Sequence, residues 1–284
     1  MRVRRGQFAL PDRPDERAAA LAAAEYVNGS VVSDRSALVM HGLPIVGPRP
    51  PVPELTVPPN GTGDVHRAHL YRASLPPEDV VIICGVAVTS IARTLVDVGR
   101  HRSTAAAVAA VDAALYRGLT TLDEIEAVLR RCRNWPRIRR AQRAVELTDG
   151  RSESPLESVS RLVIARLGLP KPDLQPVVRD PTGIPLGRLD FYWDEFGVAG
   201  EVDGRAKYRD NDEAFPAEKE RQERIEDLGV PFARWGWRLA TQHPTGLRIK
   251  IEAAFERGRA RDRSGFPRRW SISPSESVGR GERH

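Results

Sequence analysis

The chain has 284 residues, 40% of them hydrophobic and 29% charged. That balance excludes a disordered or membrane-embedded polypeptide and suits one large domain or two ordinary ones. A formal net charge of +6 favours polyanionic partners, nucleic acid first among them, although the Ala-, Arg-, Gly- and Pro-rich composition of a GC-rich coding sequence weakens that inference.

No apolar run reaches the length of a membrane span. The opening MRVRRGQFALPDRPDER is basic without an apolar core of signal-peptide length, so the expected location is the cytoplasm. Cys84 and Cys132 are far apart and have no metal-type spacing, which fits ordinary reduced thiols.

In chain order, VRRGQFAL (3–10) reads as a strand with a basic turn, and Asp15 as the cap of an Ala-rich helix over 16–26. SDRSALVMHGLP (33–44) reads as a short helix started by Ser33 and stopped by Gly42 and Pro44. Residues 45–88 are rich in Pro, Gly and Val and alternate in short runs, the pattern of a small sheet. Helices are expected over 89–100, 103–118 and 120–132, the last opened by a Thr121-x-x-Glu124 capping box.

The segment RRCRNWPRIRRAQR (130–143) is densely basic. Its bland reading is a solvated helix face. Its sharper reading is a phosphate-contacting patch of Arg130, Arg131, Arg133, Arg137, Arg139, Arg140 and Arg143, with Trp135 beside it.

TDGRSESPLES (148–158) is a polar joint, and a domain boundary is placed there. A helix follows, with Ser154 as N-cap and Pro155 in its first turn. Three strand candidates then come in succession, at 174–180, 187–195 and 196–204, with connections short enough for an antiparallel meander. Leu189, Phe191 and Trp193 alternate there with Arg188, Asp190 and Tyr192. A helix over 212–229, a strand over 230–239 and a helix over 243–261 complete the order. The tail from about Ser264 lacks periodicity and reads as disordered.

The stretch GEVDGRAKY (200–208) places Glu201 and Asp203 two residues apart in a strand, on one face, with Asp190 upstream. Carboxylates are depleted in strands, so a cation is expected there: a metal ion, or Arg and Lys side chains. Three converging acids would suit a hard divalent ion such as Mg²⁺ that polarises a phosphoryl oxygen. In the opposing reading, Asp190 and Glu201 form ion pairs with Arg188, Arg205 or Arg224, and Asp203 before Gly204 is a turn residue. His41, His66, His69, His101 and His243 form no metal set by spacing. Ser152, Ser154 and Ser158 are capping and loop residues.

The motifs SPLES (154–158), RLDFYW (188–193), GEVDGRAKY, AEKERQERIEDLG (217–229) and FARWGW (232–237) resemble, in order, the very-short-patch repair branch of the PD-(D/E)xK nuclease superfamily. The resemblance implies Mg²⁺-dependent phosphodiester hydrolysis, with Mn²⁺ as a substitute. It implies Asp190 and Glu201 as metal ligands and Glu157 as the helix acid that completes the site; Asp203, from its place on the same strand face, is read as an extra ligand. Asp203 stands where that family carries its lysine, which leaves Lys207 or Lys219 to stabilise developing charge. Arg221 and Arg224 would track phosphates together with the earlier arginines.

The first half, through SDRSALVMHGLP, VAVTSIARTLVDVGR and VDAALYRGLTTLDEIEAVLRR, resembles actinobacterial AbiEi-like proteins, the type IV antitoxins and predicted transcriptional regulators. Those proteins begin with a winged helix-turn-helix, of which VRRGQFAL resembles only the wing. The expected organisation is α+β: an antitoxin-like region over 1–150, an endonuclease-like domain over 151–262 and a tail over 263–284. The expected function is DNA binding with metal-dependent cleavage. The alternative is a non-enzymatic antitoxin or regulator that uses a decayed nuclease fold as a scaffold for DNA or a partner toxin.

Overall fold

The computed structural model describes residues 14–61, 68–179, 182–203, 229–260 and 271–273. The strand expected at 3–10, the helix expected at 212–229 and the side chains of Arg205, Lys207, Lys219, Arg221 and Arg224 lie outside them. The chain divides into two compact units, Met1–Ser158 and Val159–His284, both built from helices and mixed sheets.

In the first unit, α1 (Pro14–Tyr26) starts at Pro14, so Asp15 lies inside the helix rather than capping it. Proline at the first helical position loses no hydrogen bond and has its φ already set. A five-stranded sheet follows, made of β1 (Val31–Val32), β2 (Glu54–Val57), β3 (His69–Arg72), β4 (Val80–Ile83) and β5 (Val86–Thr89), in spatial order β3-β2-β1-β5-β4. Cys84 and Gly85 join β4 to β5 at φ 51° and 82°, the left-handed pair that a two-residue hairpin demands. The helix α2 (Asp34–Met40) and α1 cover this sheet, burying Ala20, Ala23, Val27, Ala37 and Met40 against Val32, Leu55, Val57 and Val88.

Four helices complete the unit: α3 (Ile91–His101), α4 (Thr104–Tyr116), α5 (Leu122–Arg131) and α6 (Ile138–Glu146). The helix α3 packs against the other three. A Cβ built on Gly99 would lie 2.8 Å from the Cα of Ala141, so glycine lets α3 and α6 meet backbone to backbone. The Thr121–Glu124 capping box forms with both of its bonds. Asp112, fully buried on α4, accepts from Thr148 Oγ1 and from the Asp149 backbone, each at 2.8 Å. That ties the polar joint to the bundle.

The helix α7 (Pro155–Arg166) crosses the division between the units and opens at Pro155, as its sequence predicts. Among the described residues of the second unit, the strands are β6 (Asp173–Leu174), β7 (Val177–Arg179), β8 (Pro185–Arg188), β9 (Phe191–Trp193), β10 (Val198–Val202), β11 (Phe232–Trp235) and β12 (Ser271–Ser273), and the helices are α8 (Trp237–Thr241) and α9 (Pro244–Ala260). One sheet runs β11-β10-β9-β6, and the other runs β12-β7-β8.

The expected three-strand meander is therefore divided between two sheets. Gln175 takes φ 55° and Pro176 has no N–H to donate, which interrupts the first strand. Two bonds bridge the break, Leu189 N to Pro176 O at 3.1 Å and Gln175 N to Asp190 O at 3.2 Å. The alternation expected for Leu189, Phe191 and Trp193 fails at the same place. Leu189 packs with Val178, Tyr192 and Ala199, while Phe191 stacks with Trp193 and Trp235. Ser271–Ser273, within the tail read as disordered, pairs antiparallel with Val177–Arg179.

A Cβ on Gly200 would meet Trp235, Trp193 and Phe191 at 2.9–3.1 Å, so glycine in β10 makes room for this aromatic layer. Trp235 Nε1 donates to Ser160 Oγ at 2.8 Å, which satisfies the one polar atom of a buried indole.

Candidate nucleic-acid interface

The basic segment 130–143 is folded as the end of α5, a turn, and α6, and its seven arginines have different surroundings. Arg131 binds the buried carboxylate of Asp79, so it joins α5 to the turn before β4. Arg130 lies 3.6 Å from Glu126, and Arg143 lies 2.9 Å from Glu146. Arg140 donates to the backbone oxygen of Arg102 at 2.6 Å. Arg133, Arg137 and Arg139 are exposed, and no ion pair holds them among the described residues. Trp135 is not offered outward: the guanidinium carbons of Arg93 and Arg100 lie 4.3 and 4.7 Å from its ring centroid.

In the second unit, β10 pairs antiparallel with β9 and parallel with β11. Gly200, the residue before Glu201, lies opposite Phe191, the residue after Asp190. The carboxylate oxygen Oδ2 of Asp190 accepts the Val202 backbone N–H at 2.9 Å. Glu201 lies opposite Arg234, whose Nε donates to Oε2 at 3.1 Å. Asp203 is exposed, and its backbone N–H donates to Trp235 O at 2.8 Å.

Glu157 is buried and turned back on its own helix start. Oε2 accepts from the Glu153 backbone at 2.9 Å, and Oε1 accepts from Ser154 Oγ at 2.7 Å. Ser154 in turn accepts from the Glu157 backbone at 3.3 Å, so the two side chains cap the start of the helix together. Among the described residues, no group of three or more His, Cys, Asp or Glu side chains is placed to hold a metal ion.

Residues 31–149 match the family model of the AbiEi antitoxin C-terminal domain. This AbiEi-like region covers the sheet and helical bundle of the first unit, including the arginine face. Two uncharacterized proteins of Mycobacterium tuberculosis, from strains CDC 1551 / Oshkosh and ATCC 25618 / H37Rv, are each 33% identical to this chain over 151 residues. The match covers 52% of this chain and 54% of each relative, so the chain spans about half the length of the curated relatives it matches. No solved structure matches the chain. The family match ends before the second unit begins. No helix among the described residues is long and apolar enough to cross a membrane.

The AbiEi-like region also holds a buried ionic network that sequence reasoning missed. Arg93, 2% exposed, donates to Asp97 at 2.8 Å and to Asp79 at 3.0 Å. Arg100 donates to the other oxygen of Asp97 at 2.7 Å and to Pro136 O at 3.0 Å. On the next turn, Asp34 receives His101 at 2.6 Å and Arg102 at 2.8 Å. Arg102 also reaches Glu54, at 2.5 Å, and Tyr71, at 2.8 Å. Burial alone would raise the Asp34 carboxyl, but the bonds from His101 and Arg102 outweigh it and hold the carboxyl below its ordinary range. Burial raises the Tyr71 hydroxyl, and the nearby carboxylates of Asp34 and Glu54 raise it further. The available signal was the i, i+4, i+7 spacing of Arg93, Asp97 and Arg100 along α3.

Proposed function

We propose that the chain is a non-enzymatic regulator of the antitoxin type. It binds DNA through the exposed arginines of its AbiEi-like region, and its second unit serves as a binding scaffold for DNA or a partner toxin. The observation that carries this reading is the match of residues 31–149 to an antitoxin domain. Arg133, Arg137 and Arg139 support it: they are exposed cations with no internal ion pair among the described residues, as phosphate contacts require. The second unit supports the scaffold role, because Glu201 already faces the guanidinium of Arg234 and Asp190 already holds a strand N–H.

One observation favours a second reading, Mg²⁺-dependent cleavage: Asp190 Oδ2 accepts the backbone N–H of Val202, the residue after Glu201, at 2.9 Å. A magnesium ion shared by these two carboxylates would have to replace Arg234 at Glu201. Asp203 would supply a third oxygen, and Lys207 or Lys219 the cation near the phosphate.

Both readings are tested on the same preparations. Fluorescence anisotropy on duplex DNA over a salt series measures binding, and plasmid nicking with Mg²⁺ or Mn²⁺ measures cleavage. The regulator reading expects salt-sensitive binding, weakened when Arg133, Arg137 and Arg139 are replaced by Ala, and no nicking. Metal-dependent nicking lost in both Asp190→Ala and Glu201→Ala would replace it with the second reading. Absence of binding would sink the DNA role.

A further inference from the structure

Strand β4 (Val80–Ile83) is an outer strand of the five-stranded sheet. One side pairs with β5, and no strand among the described residues pairs with the other. Its four residues are Val, Val, Ile and Ile. Val81 is 38% exposed and Ile82 is 69% exposed. Sheet edges are ordinarily shielded by a lysine, a proline, a bulge or a covering element. Here the strand carries no charge and no proline, and its register to β5 runs unbroken from Val80 opposite Thr89 to Ile83 opposite Val86. We propose that β4 pairs antiparallel with β4 of a second copy of the chain, about a two-fold axis at Val81.

The main chain sets this register. The Ser90 N–H donates to Asp79 O at 2.8 Å, so the carbonyl of Asp79 faces β5. Main-chain groups alternate along an antiparallel strand, so those of Val81 and Ile83 also face β5, and those of Val80 and Ile82 turn to the open side. The Val80 N–H is already bonded to Pro77 O in the preceding turn. The open edge therefore offers one N–H, that of Ile82, and the carbonyls of Val80 and Ile82. An axis at Val81 sets Ile82 opposite Val80 of the second copy. Its N–H then meets a carbonyl of that residue, and symmetry repeats the bond.

Two features select a second copy as the occupant. The strand is complementary to itself, since Val81 faces its own equivalent and the exposed Ile82 faces Val80. The charges at its ends are complementary as well. Glu78, whose side chain is 58% exposed and 4.0 Å from Arg131, precedes the strand. Arg17 stands at the other end, with Nη2 3.1 Å from Cys84 Sγ. The axis at Val81 sets Glu78 opposite Cys84 of the second copy, beside its Arg17, and does so twice. Such a pairing is closed, because it consumes both β4 edges and leaves none for a third chain. The proposal uses none of Arg133, Arg137 and Arg139, so it stands or falls apart from the DNA reading.

The test is sedimentation velocity of the full chain from about 5 to 200 μM, a range that reveals self-association down to high-micromolar affinity. A monomer–dimer equilibrium is expected. Ile82→Lys is expected to weaken it by about tenfold or more, with circular dichroism unchanged because the replaced side chain is exposed. Val81→Cys, made together with Cys84→Ser, is expected to link two chains on treatment with oxidised glutathione. Residues directly opposite in that type of pair have Cα atoms about 4.5 Å apart, within disulfide reach. A chain that stays monomeric throughout the range overturns the proposal. So does a dimer that Ile82→Lys leaves unchanged, or one in which Val81→Cys fails to link the copies, because the contact then lies elsewhere.

Discussion

Glu201 and Arg234 lie directly opposite each other on the parallel strands β10 and β11, with Arg234 Nε 3.1 Å from Glu201 Oε2. The pair is partly exposed, at 19% and 37% for the two side chains. Solvent screening therefore limits its worth to about 1 kcal/mol or less. Arg234→Gln is expected to lower stability by no more than that in urea denaturation. The same variant removes the cation that competes with a metal for Glu201. If the regulator reading holds, Mg²⁺ calorimetry gives no binding in either protein. Tight Mg²⁺ binding that appears only in Arg234→Gln would mark the site as a nuclease centre closed by arginine.

Stability of the first unit is expected to fall on acidification in two windows. Burial lowers the pKa of His41, despite its ring nitrogen lying 2.7 Å from Thr89 O. The unfolded chain therefore takes up this proton first, and stability declines as pH drops below the ordinary value of 6.5. Asp34 has a folded pKa below its ordinary 3.8. Its contribution is present above 3.8 and is lost as pH falls through the folded value. Thermal melts across pH 7 to 3 should show the upper decline reduced in His41→Gln. A profile in that variant identical to the parent would rule out His41 as its source.

Much of the local structure was legible because its causes are local. The Thr121–Glu124 box, the Pro155 helix start and the stop at Gly42, with φ 68°, each depend on residues a few positions apart. The same Ser-x-x-Glu pattern at Ser154 and Glu157 was present too. Glu157, expected from the resemblance as a nuclease acid, accepts hydrogen bonds at its own helix start. The ionic network was not legible, because the partners of Arg93 and Arg100 include Asp79 and Pro136 O, set by tertiary packing. In sequence such arginines look like a solvated face. The break in alternation at Asp190 was also hidden, since it follows from the left-handed Gln175 and from Pro176 on a neighbouring strand.

Gly99 faces Ala141 with no space for a side chain. Gly99→Val is expected to push α6 away from α3 and cost about 1–3 kcal/mol, the usual range for overpacking. Because α6 carries Arg139, Arg140 and Arg143, DNA affinity should fall in the same variant without the loss of any cation. Chemical denaturation and anisotropy on one preparation check both effects. Unchanged stability would mean that the two helices separate without cost.

The basic segment itself separates into structural and free arginines, and a paired comparison tests the division. Arg131 neutralises Asp79, which is 1% exposed. Removing the sole partner of a fully buried charge costs about 3–5 kcal/mol, but Asp79 keeps its bond from Arg93 at 3.0 Å. Arg131 is itself 38% exposed, so water also reaches its side of the pair, and Arg131→Ala is expected below that range. Arg139 has no such partner among the described residues, so Arg139→Ala should leave the melting temperature unchanged. On DNA the order reverses. Loss of one phosphate contact at Arg139 lowers the slope of log affinity against log salt by about one, whereas Arg131→Ala leaves the slope intact once the protein is folded. Equal slopes in the parent and Arg139→Ala would remove Arg139 from the interface and shift the DNA contact to Arg133 and Arg137.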